Sequence, residues 1–181
     1  TILEQTEKLD FLIQSLVKLS RMESEIIAVH SEDTTIKQML ESIQQQFNVK
    51  VREKNITLSL CDTDLHIRCD SKWTVEALGN IVDNAIKYTA CGGNVQIKVE
   101  QYSFFVKIDI IDDGIGIEKE EIPKIFGRFY RSLSVADQPG VGIGLFLARE
   151  IIQAQKGYIK VTSKRGKGST FSVFLPIAKK E

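Results

Sequence analysis

The 181-residue chain has little of several things that decide function early. It holds three cysteines, two histidines and three prolines, and its 24 basic side chains cancel 24 acidic ones. Cys61, Cys69 and Cys91 form no CxxC pair and have no histidine at zinc-ligand spacing, which predicts reduced thiols and excludes a disulfide or zinc scaffold. A chain of this length buries roughly 70% of its extended surface and needs neither. Zero net charge and a pI near 6.7 supply no general field toward nucleic acid or an anionic membrane. No apolar run approaches the ~20 residues of a membrane span, and no signal peptide is present. Because the first residue is Thr1, the sequence is read as a piece of a longer chain.

The neutrality is an average over two unlike parts. Residues 1–33 hold three basic and seven acidic side chains, a sum of −4, so the other 148 residues carry +4. Within the acidic part Ile2, Leu9, Leu12, Leu16, Leu19 and Ile26 occupy a and d heptad positions, and Ile13 widens the stripe. Residues 1–27 are therefore expected to form one long helix of about 40 Å. A stripe of this kind must be buried, so a second helix or another subunit is expected against it.

The remainder mixes helical and alternating patterns. Helices are predicted over 35–47, with Thr34 or Thr35 as the cap, over 72–89, begun at Asp70 or Ser71, and over 143–155. Strands are predicted over 55–60, 65–69, 95–100, 104–111, 158–163 and 170–175, the last pair joined across Gly166 and Gly168. Without a regular βαβ rhythm, these elements predict an α+β sandwich: a mixed sheet with helices on one face, preceded by the long N-terminal helix.

Six of the twelve glycines fall between positions 114 and 144. Asp112-Asp113-Gly114-Ile115-Gly116-Ile117 follows an apolar strand, so a carboxylate stands at the sheet mouth. It can accept from an exocyclic amine while the glycines admit a flat ring. Gly140-Val141-Gly142-Ile143-Gly144-Leu145 runs into a helix, whose free amides and dipole suit phosphate. This run lacks the third glycine of the dinucleotide fingerprint, and Gly166-Lys167-Gly168-Ser169 lacks P-loop spacing and reads as a turn. On the predicted helix 72–89, Asn80, Asn84 and Lys87 share one face, with Tyr88 beside them. Amide oxygens are hard ligands suited to Mg²⁺, and Lys87 can neutralise a phosphate.

In order, the chain carries Asn80 to Thr89, Asp112 to Gly116, Phe126-Gly127-Arg128-Phe129-Tyr130-Arg131, Gly140 to Leu145, and Gly166 to Phe171. This succession closely resembles the catalytic and ATP-binding domain of bacterial sensor histidine kinases, within the superfamily of DNA gyrase and the heat-shock chaperone ATPases. Residues 1–30 resemble the second helix of the dimerisation and histidine-phosphotransfer hairpin, and 31–181 the catalytic domain. The resemblance implies ATP and Mg²⁺ as ligands. Asp112 would hold the adenine amine, Gly114, Gly116 and Ile117 would lie at the base, and Thr170 would support the same network. Asn84 would ligate Mg²⁺, Asn80 would position the metal or phosphates, and Lys87 and Tyr88 would contact phosphate and ribose. Tyr130, Arg131, Gly140, Gly142, Gly144 and Leu145 would bracket a lid, with Arg131 reaching the phosphates. The lid, 132–139, has no basic residue of its own.

The implied activity is transfer of the γ-phosphate to a histidine, for relay to an aspartate of a response regulator. The resemblance also implies a homodimer through the hairpin, no nucleic-acid partner, and a cytoplasmic position joined to a membrane only through other segments. Neither histidine has the acceptor's setting: His30 follows the long helix, and His66 alternates with Leu65 and Ile67 in a strand. The acceptor is expected on a first hairpin helix outside this sequence. An ATP-hydrolysing clamp would need a glutamate where Asn80 stands, since an amide cannot take a proton near neutral pH. A non-catalytic dimerisation module would need a damaged pocket, whereas Asn84, Asp112 and the lid glycines are all in place.

Overall fold

The computed structural model describes residues 29–132 and 140–177, together with positions 6, 9, 13, 17, 20, 135 and 138. Apart from those isolated positions, the helix expected over 1–27 and the lid segment 133–139 lie outside the described residues.

The first helix, α1 (Ile36–Glu53), places Ile36, Met39, Leu40, Ile43 and Phe47 on one buried stripe. Thr35 caps it, its hydroxyl accepting from the Gln38 amide at 3.3 Å. The helix runs six residues beyond the predicted 47 because Val51 continues the stripe onto the core amid charged neighbours. The second helix, α2 (Ser71–Tyr88), starts at Asp70, whose carboxylate accepts from the Trp73 amide at 3.1 Å. It buries Thr74, Ala77, Leu78, Ile81, Val82, Ala85 and Ile86, leaving Asn80, Asn84 and Lys87 on the half-buried side. The third, α3 (Gly144–Ala154), packs on α2 through Leu147, Ala148, Ile151 and Ile152.

Seven strands are described: β1 (Glu32–Thr35), β2 (Thr57–Leu60), β3 (His66–Cys69), β4 (Asn94–Gln101), β5 (Phe105–Asp112), β6 (Tyr158–Ser163) and β7 (Ser169–Pro176). Five make one mixed sheet in the order β2-β4-β5-β7-β6, with β2 parallel to β4 and the other pairs antiparallel. Alternation sends Val95, Ile97, Val106, Ile108, Ile110, Phe171, Val173 and Leu175 to the helix side, where all are buried. Each such side chain contributes about 1.5–3 kcal/mol by leaving water. The other face carries Lys98, Lys107, Lys160 and Ser172, so the described helices cover one face only, as predicted.

The structure corrects two details. β3 is not in the main sheet; it pairs with β1, a strand not predicted, in a separate antiparallel ribbon. Glu32-Asp33-Thr34-Thr35 has no apolar alternation, and only the ladder to β3 makes it a strand. The ribbon sits at the N-terminal end of α2, where the His30 amide donates to Asp70 Oδ2 at 3.0 Å. Gln155 braces the same corner, accepting from the Asp70 amide at 2.8 Å and exchanging hydrogen bonds with Thr74. No described helix is long and apolar enough to cross a membrane.

Candidate functional site

The site lies between the C-terminal half of α2, the end of β5 and the start of α3. At one end, Asp112 closes β5 with its carboxylate on the buried face, 8% exposed. Oδ1 accepts from the Gly114 amide at 2.9 Å and the Ser169 amide at 3.3 Å. Among the described residues Oδ2 accepts no hydrogen bond. Burial pushes the Asp112 carboxyl above the usual aspartate range, and the two amides oppose that shift.

Close backbone approaches explain the glycines here. At Gly168 (φ +85°) a Cβ would stand 1.9 Å from the Asp112 carbonyl oxygen, and at Gly116 (φ +68°) 2.1 Å from that of Lys164. Only hydrogen fits at either position, which lets the 112–117 loop lie directly on the β6–β7 turn. Three further bonds tie it down: Ile117 N–H to Ser163 Oγ at 2.8 Å, Gly166 N–H to Ile115 O at 2.7 Å, and Ile115 N–H to Tyr88 O at 3.2 Å. The Tyr88 carbonyl also sits 2.6 Å from where a Gly114 Cβ would be, so the last turn of α2 joins this loop.

Thr170 lines one pocket with Asp112 but does not share its face of the sheet. β7 alternates, and Ser169, the register partner of Asp112, occupies the buried face while Thr170 pairs with Ile111 on the opposite one. The expected support for the carboxylate therefore comes from Ser169, whose hydroxyl lies 2.9 Å from Ser163 Oγ. Sequence reasoning missed Ser169 and Ser163 because a one-residue difference in register exchanges the faces of a strand.

At the other end, Asn80, Asn84 and Lys87 follow one another along α2 toward α3. A Cβ on Gly144, the first residue of α3, would approach Asn80 Oδ1 to 3.4 Å, and one on Gly140 would reach Lys87 Nζ at 2.9 Å. The α3 N-terminus has no side-chain cap, leaving its first-turn amides without a side-chain acceptor beside Asn80. Among the described residues Asn80 Nδ2 is itself buried with no hydrogen-bond partner. Burial first, and the Arg131 guanidinium second, hold the Lys87 ammonium below the usual lysine range. Burial raises the Tyr88 phenol, and its ring lies 4.9 Å from Lys87 Nζ.

The segment before the lid is stacked on α3. Arg128 lies 4.7 Å over the Phe146 ring, and Arg149 lies 5.6 Å from both Phe126 and Phe146. Tyr130 donates to Glu121 Oε1 at 3.2 Å, and its carbonyl lies 2.5 Å from a Cβ built on Gly142. Arg131 donates from Nη2 to the carbonyls of Val135, at 2.9 Å, and Gln138. Its side chain thus holds Val135 and Gln138 while its charge acts on Lys87. Leu145 and Ile117 pack on the core at the rim.

The two ends differ in character: a buried carboxylate at Asp112, and at the other Lys87 beside the uncapped α3 N-terminus. Such a fold with such a site defines a class, and residues 69–179 match the model of the histidine kinase-, DNA gyrase B- and HSP90-like ATPases. The chain belongs to this family. It is 33% identical over 177 residues to the sensor histidine kinase WalK of Bacillus subtilis, covering 95% of this chain and 29% of that protein. To the sensor protein kinase PmrB of Pseudomonas aeruginosa it is 29% identical over 171 residues, covering 94% and 36%. The chain thus spans about a third of the length of these relatives. Among solved structures, the histidine kinase AdeS of Acinetobacter baumannii aligns with a TM-score of 0.79 at 25% identity, covering 98% of this chain and 82% of that one. The mycobacterial sensor histidine kinase MprB aligns with a TM-score of 0.72 at 25% identity, covering 82% and 98%.

Proposed function

We propose that residues 31–181 are the ATP-binding catalytic domain of a sensor histidine kinase and that residues 1–30 belong to its dimerisation and phosphotransfer hairpin. The observation that carries this reading is the pairing of a backbone-held buried carboxylate, Asp112, with a polar end at which the Lys87 ammonium, the α3 N-terminus and an Asn80 Nδ2 without a hydrogen-bond partner among the described residues lie together. Asp112 Oδ2 accepts from the adenine amine, while Gly116 and Ile117 form the edge against the ring. Lys87 and the α3 amides face the phosphates, and Arg131 exchanges its lid carbonyls for phosphate oxygens.

The hard amide oxygen of Asn84 suits Mg²⁺, which would supply charge neutralisation at the phosphates when bound, and one turn away the buried Asn80 Nδ2, without a hydrogen-bond partner among the described residues, is a donor for a phosphate oxygen. Asn84 would ligate the metal and Asn80 would orient it or the phosphates. In the reaction, an N–P bond to an imidazole forms as the bond from the γ-phosphorus to ADP breaks. Orientation and charge neutralisation are the levers that this set of residues supplies. Asn80 offers no base for water, which favours transfer over hydrolysis.

Neither His30 nor His66 serves as acceptor. Both lie at the N-terminal end of α2, about 20 Å along its axis from Asn84. The acceptor belongs to a partner hairpin helix, the phosphate passes on to an aspartate of a response regulator, and the dimer forms through the hairpin. In that arrangement the domain lies in the cytoplasm, tethered to a membrane through other segments. The test mixes this chain with a histidine-bearing hairpin and labelled ATP, and acid-labile phosphate on histidine is expected. Steady phosphate release with no transfer would overturn the kinase reading in favour of an ATPase switch.

A further inference from the structure

The C-terminal turn of α2 carries two of the nucleotide-facing side chains, Lys87 and Tyr88, and a helix end leaves its last carbonyls without intrahelical donors. A single side chain from elsewhere in the chain satisfies three of them. Lys54 Nζ donates to Ile86 O at 2.8 Å, Lys87 O at 2.9 Å and Thr89 O at 2.7 Å, using every proton of one ammonium. The lysine is fixed at its own base as well. It is the C-cap of α1, its amide donates to Lys50 O at 3.2 Å, and its carbonyl accepts from the Gly92 amide at 3.0 Å. The half-buried charge stands at the negative end of the α2 dipole, where a cation is favoured.

We infer that Lys54 is a positioning residue for the phosphate end of the site. This inference rests on the nucleotide-binding reading above. Lys54 touches no nucleotide; it sets where the backbone of Lys87 and Tyr88 lies. That turn also meets the base loop, through the Tyr88 carbonyl and the Ile115 amide. The base loop, however, is held independently by Ser163, Ser169 and the β6–β7 turn. Loss of the three bonds should therefore release the phosphate-facing side chains while Asp112 keeps its place.

The test compares ATP and adenosine affinity in wild type and in Lys54→Met, which keeps the length of the stem and removes every donor. ATP affinity should fall about tenfold, the scale of a misplaced contact, while adenosine affinity stays within about twofold. Lys54→Gln, a neutral amide that still donates, should recover part of the ATP affinity. A parallel fall for both ligands, or no change in either, would overturn the inference, as would loss of folding in both variants, which would make Lys54 a folding determinant instead. Failure of wild type to bind ATP would instead strike the nucleotide-binding reading, so the two failures are distinct.

Discussion

The two ends of the site are built on opposite plans. The base end is closed by backbone: Asp112 is gripped by two amides, and the loop behind it rests on the β6–β7 turn with no room for a Cβ. The phosphate end is assembled from side chains. Asn80 Nδ2 is buried without a partner among the described residues, and Lys87 sits beside Arg131, a cation of the same sign. One end is held by backbone, whereas the other sets two like-charged side chains near one another, an arrangement that an anion stabilises. Recognition of the base should therefore be nearly rigid, and binding of the phosphates should reorganise side chains.

The sharpest way to break this contrast is to place the same methyl group at each end. Gly168→Ala combines a positive φ with a 1.9 Å approach to a backbone carbonyl. Conformational strain and overpacking together are expected to cost about 3 kcal/mol, lowering the melting temperature by roughly 6–12 °C. Gly144→Ala meets only the movable end of Asn80 at 3.4 Å, in a helical residue. Its stability should stay within about 0.5 kcal/mol of wild type, while ATP binding weakens as Asn80 gives way. Thermal melting and calorimetric titration of both variants decide the matter, and equal losses of stability would refute the contrast. Next in size is Asp112→Ala, which removes the charge-assisted bond to the base. Its expected cost is about 1.5–3 kcal/mol in ATP affinity, and an unchanged affinity would remove Asp112 from the site.

Legibility in the sequence followed the same division. The caps at Thr35 and Asp70, the stripes of α1 and α2 and the alternation of β4, β5 and β7 are local patterns, and each is found where it was expected. The motifs singled out in the sequence are brought together as groups: Asp112, Gly114 and Gly116 in one loop, and Asn80, Asn84 and Lys87 on one side of α2. What escaped depends on partners distant in sequence. β1 is a strand only because β3 pairs with it, and Lys54 looks like an ordinary polar residue after a helix until α2 is brought to it. Ser169 was passed over for Thr170 because the choice of face is a matter of register, which one strand alone does not contain.

Asn84→Ala tests the metal at the phosphate end. Loss of even an outer partner of a metal site costs 10- to 100-fold in metal affinity, so loss of a ligand should reduce the Mg²⁺ contribution by at least about tenfold. Addition of EDTA should then weaken ATP binding strongly in wild type and little in the variant. Equal responses would take Asn84 out of the metal's coordination.

The smallest expected effect concerns pH, and it separates the two ends most directly. Burial and the neighbouring Arg131 lower the Lys87 pKa, so the ammonium loses its proton at a lower pH than an ordinary lysine. The protonated form is the one that binds phosphate. ATP affinity should therefore decline as pH rises through that lowered value, whereas adenosine, which has no phosphate for Lys87 to hold, should bind with level affinity. Phosphate contact favours the charged lysine and raises its pKa again, so binding in this range should take up a proton. Calorimetric titration of ATP in two buffers of different ionisation enthalpy reads that uptake. It should vanish in Lys87→Met, and its persistence there would transfer the titration to another group at the site.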